Sequence, residues 1–206
     1  MRDKGIKNLI LDFGGVLIDL DRQRCIDNFK ELGLHNADEL LCMFHQQGVF
    51  MKQEKGLITS AEFRNSIREM IGKDVSDQQI DTVWNSFLMD IPTYKLDLLL
   101  KLREKYVVYL LSNTNEIHWN WSCEHVFPYR GFRAENYFEK IYLSYEMKMM
   151  KPDAEIFEAV LSDAGIVAEE TLFLDDSEAN CETARTLGIS TYTPKAGEDW
   201  GHLFQW

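Results

Sequence analysis

The stretch "NLILDFGGVLIDLD", Asn8 to Asp21, places a carboxylate at the end of an apolar run and follows it with two glycines. The run from Ile6 to Leu11 is short, rich in Ile and Leu, and stopped by Gly14-Gly15, which is the pattern of a buried strand. Asp12 closes it. An apolar strand that ends in an acid and a glycine turn delivers a functional group to the rim of a sheet. Four further stretches share the form: Tyr106 to Ser112, Lys140 to Ser144, Thr171 to Asp176 and Gly188 to Tyr192. Helical patterns lie between most of them, including "PTYKLDLLLKLREKY" and "PDAEIFEAVLSDAG", where Pro152 suits a first helical position and Gly165 a C-cap. Strands that alternate with helices predict an α/β fold with a parallel, doubly wound sheet.

One long interval breaks the alternation. Between Asp21 and Met89 only helix signals occur, such as "DRQRCIDNFKEL", "TSAEFRNSIREMIG" and "SDQQIDTVWNSFL", with Ser60 and Ser76 as expected N-caps. The expected organisation is therefore a core of residues 1–20 and 90–206 with a helical cap, residues 21–89, inserted after the first strand. Long insertions near the carboxyl ends of parallel strands commonly cover sites.

The totals narrow the function. The chain has 206 residues, 45% hydrophobic and 27% charged, in the globular range. A net charge of −12 argues against a nucleic-acid partner, which calls for a basic face. A small anionic substrate is compatible with it, since a few local donors offset a global charge. Cys25, Cys42, Cys123 and Cys181 lie far apart with no C-x-x-C pair, so reduced thiols are expected, not zinc or a disulfide framework. No stretch approaches the roughly 18 apolar residues of a membrane span, and the amino-terminal run, cut short by Asp12, lacks a signal-peptide core. A cytoplasmic protein, with no membrane partner, is the expectation; a monomer and a homodimer are equally compatible with the sequence.

Asp12, Ser112 and the pair Asp175-Asp176 each end a predicted strand, at the edge where open α/β sheets bind ligands. On these motifs the chain resembles the haloacid dehalogenase (HAD) superfamily of Mg-dependent phosphohydrolases. "LDFGGV" resembles the first motif, "LLSNTN" the second, "KPDAEIF" the third and "FLDDSEAN" the fourth, in the family's order over nearly the full length. The resemblance implies a HAD-like Rossmannoid three-layer core with an inserted cap. It implies Asp12 as nucleophile, Ser112 and the N–H groups from Asn113 onward as phosphate ligands, and Lys151 as the balancing cation. Mg2+ would be held by Asp12, the carbonyl of Gly14 and Asp176, with Asp175 acting through water or holding Lys151. The residue types suit the reaction: a carboxylate attacks a phosphate monoester only if a cation and donors offset the negative charge. Lys148, three residues before Lys151, stands where related chains tend to have glycine.

Most phosphatases of the superfamily carry a second Asp two residues beyond the nucleophile, the acid/base of the reaction. Here that position is Gly14. A D-x-G-x-V motif followed by "LSNTN" and "KPDAEIF" resembles bacterial phosphatases of sugar 1-phosphates. The expected substrate is thus a small phosphorylated metabolite, a sugar phosphate such as a sugar 1-phosphate, cleaved through an aspartyl-phosphate. Asn115, His118 and Trp119 follow the second motif and are candidate sugar-binding residues. Glu54 and Lys55, in "FMKQEKGLITS", stand at a helix–loop boundary and read as solvated charges. Two rivals carry other chemistry. A 2-haloacid dehalogenase uses the same nucleophile without metal, but unneutralised Asp175 and Asp176 would oppose its attack. A catalytically impaired binding protein explains the missing Asp but not the retained nucleophile, lysine and acids.

Overall fold

The computed structural model describes residues 5–41 and 48–204. Five parallel strands, β1 (Asn8–Leu11), β2 (Val107–Ser112), β3 (Lys140–Leu143), β4 (Thr171–Leu174) and β5 (Ser190–Tyr192), form one sheet in the order β3-β2-β1-β4-β5. β1 is central, pairing with β2 on one side and β4 on the other, Leu11 opposite Leu110 and Leu174. All five predicted strands are present. Each is shorter by one or two residues: β1, β2 and β5 begin later than expected, and β3 and β4 end before Ser144 and Asp175, which leave the ladder for the turns at the carboxyl edge.

Side chains alternate between the faces of a strand, so one buried sheet must supply two cores. Leu9, Leu11, Val108, Leu110, Leu172 and Leu174 join one core with Leu96, Leu99 and Leu102. Those leucines belong to the helix Thr93–Leu102 that precedes β2. Ile10, Tyr109, Leu111 and Phe173 face the other way, onto Ile156, Phe157 and Val160 of the helix Ala154–Ala164 and Cys181 and Ala184 of the helix Glu178–Thr186. Helix, sheet and helix make three layers. Gly165 caps the helix Ala154–Ala164 in the left-handed conformation, as expected, but Pro152 precedes the N-cap Asp153 and is not the first helical residue. Cys25, Cys123 and Cys181 are free thiols; Cys42 lies outside the described residues.

Between β1 and β2, the helices Arg22–Leu32, Ala37–Leu40, Gly48–Glu54, Ser60–Ile71 and Asp77–Asn85 precede the helix Thr93–Leu102. They bury their own aromatic cluster of Phe29, Phe50, Phe63 and Trp84, to which the core contributes Ile117. Ser76 is an N-cap and forms a capping box with Gln79. Ser60 is not: Thr59 caps that helix through Glu62, leaving the Ser60 hydroxyl to bond the Glu116 carboxylate at 2.5 Å. The chain enters and leaves these helices side by side. Asp21 N–H donates to Phe87 O at 2.8 Å and Met89 N–H to Asp19 O at 3.0 Å. Among the described residues no helix is long and apolar enough to cross a membrane.

Candidate active site

Three of the four motifs come from the carboxyl ends of the three adjacent strands β2, β1 and β4. Asp12 directly follows β1, its N–H held by Leu174 O at 2.9 Å. The turn beyond it folds back, with Gly15 N–H donating to Ile18 O at 2.8 Å, and is pinned at the Val16 carbonyl. Two buried donors meet there, Lys95 Nζ at 2.7 Å and Trp200 Nε1 at 3.0 Å. Gly15 has φ +70°, and a Cβ on it would lie 2.2 Å from Asp176 Oδ2. Only glycine therefore lets the first motif and the Asp175-Asp176 turn approach this closely.

Lys151 is 3% exposed, and its ammonium has three acceptors: Asp12 Oδ1 at 2.8 Å, Asp175 Oδ2 at 2.6 Å and Leu111 O at 3.0 Å. Asn113 positions the lysine by gripping its backbone, accepting from Lys151 N–H at 2.9 Å and donating to Lys151 O at 2.8 Å. Lys148 adopts a left-handed conformation, φ 57°, the geometry for which glycine is the usual choice at that place.

Asp175 is fully buried and also accepts from Ser177 N–H at 2.8 Å and Asn180 Nδ2 at 2.9 Å. Its oxygens are spent on fixing Lys151 and the turn. Asp176 stays exposed. One carboxylate oxygen from each of Asp12, Asp175 and Asp176 lies within 4.8 Å of the others, a constellation that could hold a metal ion. Set against the single ammonium, three carboxylates leave two negative charges in a mostly buried volume. The charge and the all-oxygen donor set fit a hard divalent cation such as Mg2+.

Electrostatics express the same excess. Burial raises the Asp12 carboxyl to about 8; Lys151 opposes the shift while Asp175 and Asp176 add to it. Burial works against the Lys151 ammonium, but Asp12 and Asp175 outweigh it and hold its pKa above the ordinary lysine value. Burial, then Asp175, also raises Asp176.

Ser112 ends β2 with its hydroxyl 3.4 Å from the Asn113 carbonyl, a contact too long to hold it. The Asn113 side chain is committed to the Lys151 backbone. Asn115 is wholly buried and caps the helix Glu116–His125 by accepting from His118 N–H at 3.0 Å. Its Nδ2 has no partner. His118 lies 4.0 Å, centroid to centroid, from the Trp84 ring, with Nε2 3.1 Å from Trp84 O; burial depresses its pKa to about 3. Trp119 packs edge-on to Phe13 at 5.9 Å and against Phe127. Both rings are buried and packed against neighbouring side chains.

Glu54 overturns the expectation of a solvated charge. It is 8% exposed, and burial followed by the Asp12 charge raises its carboxyl to about 8. Its neighbour Lys55 does reach the surface, 3.6 Å from Asp153. Reasoning from sequence also missed Lys95, Trp200 and Asn180, since a buried lysine bonded to a distant carbonyl leaves no local pattern.

Comparison with known proteins agrees with this arrangement. The family model described as haloacid dehalogenase-like hydrolase matches residues 6–188. A D-ribitol-5-phosphate phosphatase of Bacteroides thetaiotaomicron is 38% identical over 195 residues, covering 95% of each chain. A HAD family enzyme from the same organism, crystallised as its Asp12→Ala variant with magnesium and inorganic phosphate, is 69% identical at a TM-score of 0.95. That match covers 98% of this chain and 100% of the other. The L-2-haloacid dehalogenase of Xanthobacter autotrophicus shares the fold at 15% identity and a TM-score of 0.57, over 90% of this chain and 76% of the other.

Proposed function

Since this chain belongs to the haloacid dehalogenase-like hydrolase family, we propose that it is a Mg2+-dependent phosphatase of a small sugar or alditol phosphate, acting through an aspartyl-phosphate. The observation that carries the reading is the grouping of Asp12, Asp175 and Asp176 around one buried lysine. Asp12, the Gly14 carbonyl and Asp176 are the residues that would hold the magnesium, which when bound draws off phosphoryl charge and favours the ionised form of Asp12. The 69% identical enzyme crystallised with magnesium and inorganic phosphate, which supports magnesium as the cation.

In the proposed reaction Asp12 attacks phosphorus, and the bond to the sugar oxygen breaks. Lys151, held by Asp175, offsets charge beside the nucleophile. The Ser112 hydroxyl, with no competing bond of normal length, and the following backbone N–H groups receive the phosphoryl oxygens. Water then attacks the acyl phosphate, releasing inorganic phosphate and restoring the Asp12 carboxylate. The five-helix insertion acts as a cap over this edge and supplies the substrate's non-phosphate contacts.

The substrate class rests on two supports. The D-x-G motif favours a leaving oxygen that tolerates charge, as in a sugar 1-phosphate. The 38% identical relative is instead a phosphatase of an alditol 5-phosphate, whose leaving group is an ordinary alcohol. A screen of sugar 1-phosphates, sugar 6-phosphates and alditol phosphates, with magnesium and with EDTA, tests the reading. Metal-dependent phosphate release from one of these classes is expected. Absence of release from every ester, or halide release from a 2-haloacid without metal, would overturn it.

A further inference from the structure

We propose that Glu54, carried on the helical insertion, is the general acid and base of the hydrolysis, in place of the acid that position 14 lacks; the inference rests on the phosphatase reading above. Position 14 carries no side chain that could hold a proton. A proton for the leaving oxygen must therefore come from elsewhere, and Glu54 is the carboxyl placed to give it.

Two contacts bring the end of the helix Gly48–Glu54 down onto the sheet edge, and a third steadies it within the insertion. The Ser144 hydroxyl accepts from Thr114 N–H at 2.9 Å and donates to the Glu54 carbonyl at 2.6 Å, tying Glu54 to the loop that begins at Ser112. Gly56, φ +64°, lies so close to the core that a Cβ would stand 2.0 Å from the Tyr145 carbonyl oxygen. Gln53 anchors the same turn from the other side, its Oε1 accepting from Trp84 Nε1 at 3.1 Å. Ser144 and Tyr145 belong to the core, so Glu54 is held by the loops that follow β2 and β3.

The side chain that results is unusual for a carboxyl. It is more than nine-tenths buried, no donor among the described residues bonds it, and the one charge it responds to is Asp12. A glutamate buried without a cation or a hydrogen bond costs stability unless it is neutral, which keeps it protonated near neutral pH. It is not one of the carboxylates grouped for a metal. Buried, with no donor among the described residues, and held beside the loop that begins at Ser112, it has the properties of an acid waiting for an acceptor.

The protons balance. As Asp12 attacks phosphorus, the Glu54 carboxyl proton passes to the departing oxygen, giving a neutral alcohol and a Glu54 carboxylate. As water attacks the aspartyl-phosphate, Glu54 takes a proton from it and returns to the acid form. Because the acid arrives on the insertion, leaving-group protonation is available only when insertion and core are together. Primary alkyl phosphates then become good substrates despite Gly14.

The test compares leaving groups. In Glu54→Gln, kcat/KM for a primary alkyl phosphate should fall by about 100-fold or more, the typical contribution of a general acid. Nitrophenolate needs no proton, so the first turnover of p-nitrophenyl phosphate should stay within a few-fold of wild type. It should appear as a burst, followed by slow turnover as the aspartyl-phosphate waits for its base. Should the isosteric variant fold poorly, judged by circular dichroism, Glu54→Ala reads the same ratio. Equal losses for the two esters, or no loss for either, would overturn the role of Glu54. Wild-type enzyme that releases no phosphate from any ester would instead overturn the phosphatase reading, so the two failures are distinct.

Discussion

At the scale of single residues, the site turns on a carboxylate that burial would rather keep neutral. Replacing Asp12 by Asn removes the anion without changing shape, so turnover should vanish while the far-UV circular dichroism stays native; a folded variant that keeps most of its activity would remove Asp12 as nucleophile. Ser112→Ala deletes one donor to the transferring phosphoryl group and should lower kcat/KM by the equivalent of about 2 to 4 kcal/mol, read in steady-state assays with saturating magnesium. Asp12, Ser112 and the Asp175-Asp176 pair are legible in sequence because each ends an apolar run, and strand ends in a parallel sheet have a fixed address. Lys151 is legible only beside Pro152 and the motif order. Glu54 is not legible at all: "QEKG" reads as a solvated helix end, and its burial follows from the packing of its neighbours Phe50 and Gln53 against Trp84, from another helix of the insertion.

At the scale of elements, the parallel sheet follows from strands that alternate with helices, whereas the order of its strands is seen only in the fold, and the parity of each strand assigns its side chains to the two cores. Helix ends are legible where a capping box exists, as at Ser76, and displaced by one residue where two adjacent hydroxyls compete, as at Thr59 and Ser60. The seam between the helical insertion and the helix Glu116–His125 is less visible, since it is built from Trp84, Phe87 and His118, residues of no common pattern. Its histidine makes a pH prediction. His118 titrates at about 3 when folded and near 6.5 when unfolded, so the unfolded chain binds the proton first. The stability it allows is complete above pH 6.5 and is lost as pH falls toward 3, at about 1.4 kcal/mol per pH unit within that window. His118→Phe keeps a ring in place and removes the titration. Denaturant unfolding between pH 6.5 and 5 should show a shallower loss of stability in the variant, and identical slopes would count against a neutral, enclosed His118.

At the scale of the whole molecule, folding gathers three carboxylates about one ammonium, a charge imbalance that a bound dication relieves. Magnesium at 100 times its dissociation constant should stabilise the fold by about 2.7 kcal/mol, a rise in Tm on the order of 5 to 10 °C for a chain of this length. Asp176→Asn should abolish most of that rise in a thermal scan with and without EDTA; an undiminished rise would assign the metal to other residues. The course of the chain around the insertion carries a further consequence. Its inbound and outbound segments pair through Asp21–Phe87 and Met89–Asp19 bonds of 2.8 and 3.0 Å. The chain beyond that ribbon is joined covalently to the sheet at one place, and its other ties to the core, such as Ser60–Glu116 and Ser144–Glu54, are non-covalent contacts. Excising it leaves two ends that one tight turn can join, and splicing in another helical cassette leaves Asp12, Ser112 and Lys151 in register. Substrate choice in such a molecule can be exchanged by recombination while Asp12, Ser112 and Lys151 stay on the sheet edge, provided that the incoming insertion brings its own acid in place of Glu54.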